Sequence, residues 1–254
     1  MCLVLFAFQK DSRYPLVLCA NRDEFYDRPT AKASFWSTYP EVLAGKDLMH
    51  EGTWLGITKT GRWSALSNYR EPHNTQMKPV SRGVLVRDFL IGTESPDVYA
   101  KTIQRQAQKF NGFNLLIGDV NQVVYISNRT ENYRVLAPGL YGLSNHLLDT
   151  PWHKVARGKK ALDCMLKANS VQTSDFLSIL DDQTPADQDS FNTGLPPERE
   201  RLLSPIFIQS DKYGTRSSTV IQIDVNEQVT FVERVFNRTS ESYQDRQFQF
   251  GISK

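Results

Sequence analysis

The residues best equipped for chemistry are Cys2 and the polar run Asn21-Arg22-Asp23-Glu24. Removal of Met1 would leave Cys2 as the first residue, with a thiol and an α-amine on one Cα. A thiolate is a strong nucleophile even as a minority species, and an adjacent amine is one way to activate it. That amine titrates at roughly 7.7–8.0, so near neutral pH it can take up a proton and return it. The competing reading makes Cys2 a small apolar residue in a buried first strand.

The element that must bring these residues together is a hairpin. Cys2–Phe8 and Tyr14–Ala20 are apolar and rich in strand formers, and the polar stretch 9–13 between them reads as a turn. Antiparallel pairing about that turn puts residue 2 opposite residues 20–22, so Asn21, Arg22 and Asp23 are expected beside Cys2. A cation near a thiol lowers its pKa, and a carboxylate can hold an ammonium in place. The plain alternative for the charged run is a solvated loop with a surface ion pair.

Further candidates sit where apolar strands end. Asn68 follows Trp63–Ser67, and Asn145 follows Gly142–Ser144. A side-chain amide can supply the preorganised N–H that a tetrahedral oxyanion needs, although Asn at a strand end is also an ordinary turn former. Arg216 precedes an alternating strand, where its guanidinium suits a substrate carboxylate or phosphate or is simply a hairpin-edge charge. The string Gly142–His146 lacks the GxSxG pattern, which disfavours a serine hydrolase. Trp54, Trp63, Tyr69 and Phe35 suit either an apolar acyl pocket or core packing.

Residues 53–58 with 62–67, 113–119 with 122–128, and 217–224 with 228–236 read as further hairpins. Helices are expected after Ser81, packing Leu85 and Phe89, and after Ser95-Pro96-Asp97, packing Val98, Ile103 and Phe110. Two more are expected from Asp149-Thr150-Pro151 to about Ala168 and over 174–180, whereas 25–52 reads as turn-rich and 182–200 as a long mobile loop. Hairpins alternating with helices point to the α+β class with antiparallel sheets. No linker or low-complexity tract divides the 254 residues, so one domain over 1–254 is expected.

Composition excludes several function classes. Thirty basic and 28 acidic residues, formally +2, form no concentrated basic stripe, which disfavours nucleic acid as a partner. Three cysteines and four histidines show no metal-ligand spacing, so no metal is expected. No transmembrane segment is expected, and the short opening apolar run lacks the basic flank of a secretory signal. A cytoplasmic location follows as an expectation, and it would keep the Cys2 thiol reduced.

With Cys2, the NRDE string at 21–24, Asn145 and the GTRSST segment around Arg216, the chain resembles the NRDE family, also called the transport-and-Golgi-organisation-2 family, from residue 2 to about 236. That family resembles the N-terminal-nucleophile hydrolases with a Cys nucleophile, such as penicillin V acylase and bile salt hydrolase. The resemblance implies a four-layer αββα sandwich and cleavage of linear amide bonds. Asn68 is similar to the oxyanion Asn of those hydrolases' GLN segment, and Asn145 to the Asn of their LTN segment. The hydrolases carry Arg-x-x-Asp where this chain has NRDE. Either Arg22 and Asp23 take those roles in a shifted register, or Asn21 and Glu24 occupy the places. The resulting expectation is a catalytic set of Cys2, Arg22, Asp23, Asn68 and Asn145, with Asn21, Glu24 and Arg216 contacting a small amide or acyl substrate. No cofactor is required. The alternative implied by the family is haem or lipid and acyl-CoA handling without catalysis, with haem as a ligand, although no CxxCH motif announces it.

Overall fold

The computed structural model describes residues 3–72, 78–187, 194–237 and 242–253; Cys2, and with it the nucleophile expectation, lies outside them. β1 (Leu3–Phe8) and β2 (Leu16–Phe25) form the expected antiparallel hairpin, with Leu3 opposite Asn21. Their side chains alternate between two buried faces. Val4, Phe6, Phe8, Leu16, Leu18 and Ala20 join one apolar cluster, and Leu3, Leu5, Ala7, Val17 and Cys19 join another. Burial on both faces explains why these strands read as unbroken apolar runs instead of an alternating pattern.

β2 pairs on its other side with β11 (Tyr213–Ile223), followed by β12 (Gln228–Asn237) and β13 (Ser242–Gly251), while β10 (Gly139–Leu143) closes the far side against β1. The first sheet therefore has the order β10-β1-β2-β11-β12-β13. The second runs in sequence order through β3 (Thr30–Phe35), β4 (Val42–Asp47), β5 (Leu55–Thr58), β6 (Trp63–Asn68), β7 (Phe113–Gly118), β8 (Val123–Ser127) and β9 (Arg134–Val135). All pairings are antiparallel.

Three apolar layers hold the stack together. One lies between the sheets, where Phe6 stacks on Tyr141 at 5.1 Å and meets Trp63 edge-on at 6.0 Å. A second lies under α1 (Gly83–Ile91) and α2 (Pro96–Gln106) on the second sheet, and a third under α3 (His153–Leu166) and α4 (Thr173–Leu180) on the first. The helices start where local chemistry dictates. Ser95 Oγ accepts from Val98 N with Pro96 behind it, and Gln172 and Asp175 form a capping box before α4. Phe6→Ala is expected to cost about 3–5 kcal/mol, read as a lower urea midpoint, because it empties the layer that joins the sheets.

Several expectations need correction. Residues 25–52 hold β3 and β4 in addition to turns. The expected loop at 182–200 runs into a short helix, α5 (Pro197–Leu203), and part of it lies outside the described residues. Val98 is exposed, because Pro96, Tyr99, Ala100 and Ile103 form the buried face of α2. The sheets are also joined by a polar contact: the buried Glu233 carboxylate accepts from Ala33 N at 2.7 Å, where the β3–β4 ladder shifts register. Burial raises the pKa of that carboxyl. No helix among the described residues is long and apolar enough to cross a membrane.

Candidate active site

β2 carries Asn21-Arg22-Asp23-Glu24 as extended strand, so consecutive side chains take opposite faces. Asn21 faces the helices and is fully buried. Its Nδ2 donates to Leu180 O at 2.8 Å and Ile206 O at 2.9 Å, and its Oδ1 accepts from Ser218 Oγ at 2.6 Å. Both amide hydrogens are therefore committed to the scaffold. Asn21, expected to contact substrate, is placed as a scaffold residue that ties β2 to the end of α4 and to β11. Asp23 shares that side, and its Oδ1 accepts from Thr215 Oγ1 at 2.7 Å.

Arg22 takes the opposite face, between the sheets, with its guanidinium 4.1 Å above the Trp54 ring. Only 4% of it is exposed, and no described residue accepts a hydrogen bond from the guanidinium. Burial, opposed by the charge of Glu24, pushes its pKa down to about 10. Trp54 reaches this position because Gly45 has no side chain; a Cβ there would lie 2.4 Å from the indole.

Arg22, Glu24, Arg28, Asp47, Trp54 and Asn68 line a cavity of about 90 Å³ where the two sheets meet. Its charges are ordered. Glu24 Oε1 accepts from Phe25 N at 2.9 Å, and Glu24 Oε2 stands 3.7 Å from Arg28 Nε. Arg28 Nη2 donates to Asp47 Oδ2 at 2.7 Å. Burial acts to raise the Asp47 pKa, but the bonds from Arg28 and the Met49 amide and the nearby positive charge outweigh it, so the carboxyl titrates below its usual range. Sequence reasoning missed the Arg28–Asp47 pair, which couples a turn to a strand 19 residues away.

The two asparagines meet across the sheets. Asn145 Nδ2 donates to Asn68 O at 3.0 Å, Ser67 Oγ to Ser144 O at 2.5 Å, and Arg70 N to Asn145 O at 2.7 Å. These rungs lash the end of β6 to the loop after β10. Asn68 lines the cavity, and its side-chain amide makes no hydrogen bond to a described residue. Asn145 holds the Asn68 carbonyl with one amide hydrogen.

Next to this pair lies a contact absent from the sequence reading. His146 Nδ1 is 2.9 Å from Thr150 Oγ1, and its Nε2 is 2.9 Å from Tyr69 Oη. Thr150 already donates its hydroxyl proton to Leu147 O at 2.8 Å. His146 must therefore donate from Nδ1 and accept from Tyr69 at Nε2. Burial lowers the His146 pKa, so the ring is neutral at pH 7. Because the folded pKa lies below the unfolded one, the unfolded chain takes up the proton first. Stability is then complete above roughly pH 6.5 and lost as pH falls through the folded value. His146→Gln is expected to narrow the gap between urea midpoints at pH 7.5 and 5.5.

Arg216 is the extra residue of a β-bulge, since Thr215 pairs with Asp23 but Ser217 with Arg22. The bulge turns its Nη1 onto Phe25 O at 3.1 Å and Arg28 O at 2.5 Å. It braces the turn after β2, which the expected substrate contact did not foresee. Of the remaining aromatic candidates, Trp63 is core, Phe35 packs on Phe248 and Phe250, and Tyr69 serves His146. Cys19 is fully buried with its thiol pKa driven well up by burial, and Cys164 is exposed. Among the described residues no group of three or more His, Cys, Asp or Glu is placed to hold a metal.

Comparison with known proteins gives a consistent picture. A family model described as transport and Golgi organisation 2 matches residues 1–238. The human transport and Golgi organization protein 2 homolog is 34% identical over 276 residues, covering 99% of each chain. The Drosophila melanogaster transport and Golgi organization protein 2 is 26% identical, covering 99% of this chain and 100% of its own. Among solved structures, a mutant conjugated bile acid hydrolase from Clostridium perfringens superposes with a TM-score of 0.51 at 10% identity, covering 100% of this chain and 98% of the other. A Caenorhabditis elegans ortholog of N-acylethanolamine-hydrolyzing acid amidase superposes with a TM-score of 0.51 at 13% identity, covering 87% and 92%. At such identities the likeness speaks for the fold, which is the four-layer αββα sandwich of the N-terminal-nucleophile hydrolases.

Proposed function

This chain belongs to the transport and Golgi organisation 2 family, and from that premise we propose that it is an N-terminal-nucleophile hydrolase with Cys2 as nucleophile and a linear amide or acyl small molecule as substrate. One observation carries the reading. Arg22 from the first sheet and Asn68 from the second line one cavity, at the end of the hairpin whose Leu3 faces Asn21.

In this reaction the Cys2 thiol gives its proton to the α-amine as sulfur attacks the carbonyl carbon. The Asn68 amide donates to the oxygen that gains charge. Collapse breaks the C–N bond, and the amine proton goes to the leaving nitrogen. Water then cleaves the thioester to release the acid. The thiol and the amine diverge from one Cα, so each needs its own charged neighbour. Arg22 and Asp23, on opposite faces of β2, suit that division, with Asp23 holding the ammonium. The reading requires Cys2 to present its thiol on the face shared by the even-numbered residues of β1 and β2.

The test is the intact mass of purified protein before and after incubation with N-acyl amides and activated acyl esters. Loss of Met1 and an acyl adduct mapped to Cys2 are expected, with turnover abolished in Cys2→Ala. Active protein that retains Met1, or undiminished turnover in Cys2→Ala, would overturn it.

A groove of about 620 Å³ favours a second reading, binding without turnover. Tyr26, Phe207, Phe236 and Tyr243 line it among polar residues that include Asp181, Gln183 and Arg234, so its aromatic faces suit a flat or acyl ligand with a polar end, such as haem or acyl-CoA. A haemin titration without a Soret shift, and no retention of acyl-CoA, would exclude it.

A further inference from the structure

We propose that Arg22 is the receptor for a carboxylate of the substrate, so that the molecule cleaved is an amide bearing a carboxylate close to its scissile carbonyl. The cavity and its charge stand on the geometry; only the identity of the molecule carrying the carboxylate rests on the nucleophile reading above.

A buried guanidinium normally finds acceptors for its five N–H groups, because leaving them dry and unpaired is costly. Arg22 has none among the described residues, yet it is almost wholly enclosed and lines a cavity. The other lining charges do not compensate it by contact. Asp47 is engaged by Arg28 at 2.7 Å, and Glu24 is held by the Phe25 amide and by Arg28. Of the lining side chains, three are cationic (Arg22, Arg28 and Arg82) and two anionic (Glu24 and Asp47), one positive charge in excess. A monoanion balances that excess, whereas a dianion would meet two fixed carboxylates.

Shape agrees with charge. Trp54 covers one face of the guanidinium at 4.1 Å, leaving its N–H edges for an in-plane partner. A carboxylate binds such an edge with two parallel hydrogen bonds. The volume of about 90 Å³ exceeds the roughly 10–15 Å³ that one water requires but falls well below a whole-ligand site of about 300 Å³. It has room for a head group, with the rest of the molecule outside.

The test compares two alkylating reagents of similar size, iodoacetate and iodoacetamide, by peptide-resolved mass spectrometry. In each, the thiolate forms the S–C bond and iodide leaves, so only the reagent's charge differs. The exposed Cys164 is an internal reference in the same molecule. The ratio of iodoacetate to iodoacetamide rates is expected to be at least about tenfold higher at Cys2 than at Cys164. Arg22→Gln should bring the two ratios together. In the unmodified protein, acetate should slow both reagents at Cys2 and neither at Cys164, an arm that stands even if Arg22→Gln fails to fold. Equal ratios without acetate protection would overturn the subsite while leaving the nucleophile intact. If neither reagent modifies Cys2, the nucleophile reading falls. The subsite is then decided by whether acetate raises the Tm of the unmodified protein but not of Arg22→Gln; no rise would overturn it.

Discussion

Asn21→Asp is expected to destabilise the fold by about 3 kcal/mol or more, although it changes only an amide nitrogen to oxygen. The Asn21 amide sits in a fully dry position and donates to two backbone carbonyls, Leu180 O and Ile206 O. A carboxylate donates to neither. It leaves two buried acceptors unpaired, at about 1–3 kcal/mol each, and places a third oxygen against them. Burial among oxygens would raise the introduced carboxyl's pKa above the unfolded value of roughly 3.9. The folded state then holds the proton more tightly than the unfolded one, so stability falls as pH rises from about 4 through the folded pKa. Urea denaturation at pH 4.5 and 7.5 would show the penalty growing toward neutrality. A variant with normal stability but impaired turnover would instead return Asn21 to the substrate.

How far the sequence reveals this molecule depends on whether a signal is local. β1 and β2 are legible because both faces of each strand are buried, which demands continuous apolar residues. β3 is not, because Lys32 and Ser34 interrupt its apolar positions and its register shifts between Ala31 and Ser34. In the site, Arg22 and Asn68 stand out as polar residues closing apolar strands, and the structure places both on one cavity. The task of Arg216 is illegible because one extra residue in β11 decides where its guanidinium turns. The Tyr69–His146 contact spans 77 residues and joins two sheets, so no spacing rule announces it, even though each residue directly follows one of the candidate asparagines. Adjacency on a strand does not give a shared face. Four polar residues in a row read as one cluster, but the pleat sends Asn21 and Asp23 away from Arg22 and Glu24.

Asn68→Ala is expected to lower kcat by about 10²–10³-fold with little change in KM, the signature of a donor used chiefly in the transition state. Its stability cost should be small, because the side-chain amide makes no hydrogen bond to a described residue while its backbone carbonyl accepts from Asn145. Asn145→Ala acts differently. It removes the bond that fixes the Asn68 backbone and leaves that carbonyl without its partner's amide. Its effect on kcat should therefore pass through Asn68, and it should also cost about 1 kcal/mol of stability. The double variant discriminates between the two roles. If Asn145 only positions Asn68, losing it after Asn68 has become alanine changes kcat little further, and the combined loss stays close to that of Asn68→Ala. If both amides touch the oxyanion, the losses multiply toward 10⁴-fold or beyond. The hydrogen bond from Asn145 Nδ2 to the Asn68 carbonyl predicts the first result, and steady-state kinetics on the four proteins decides it.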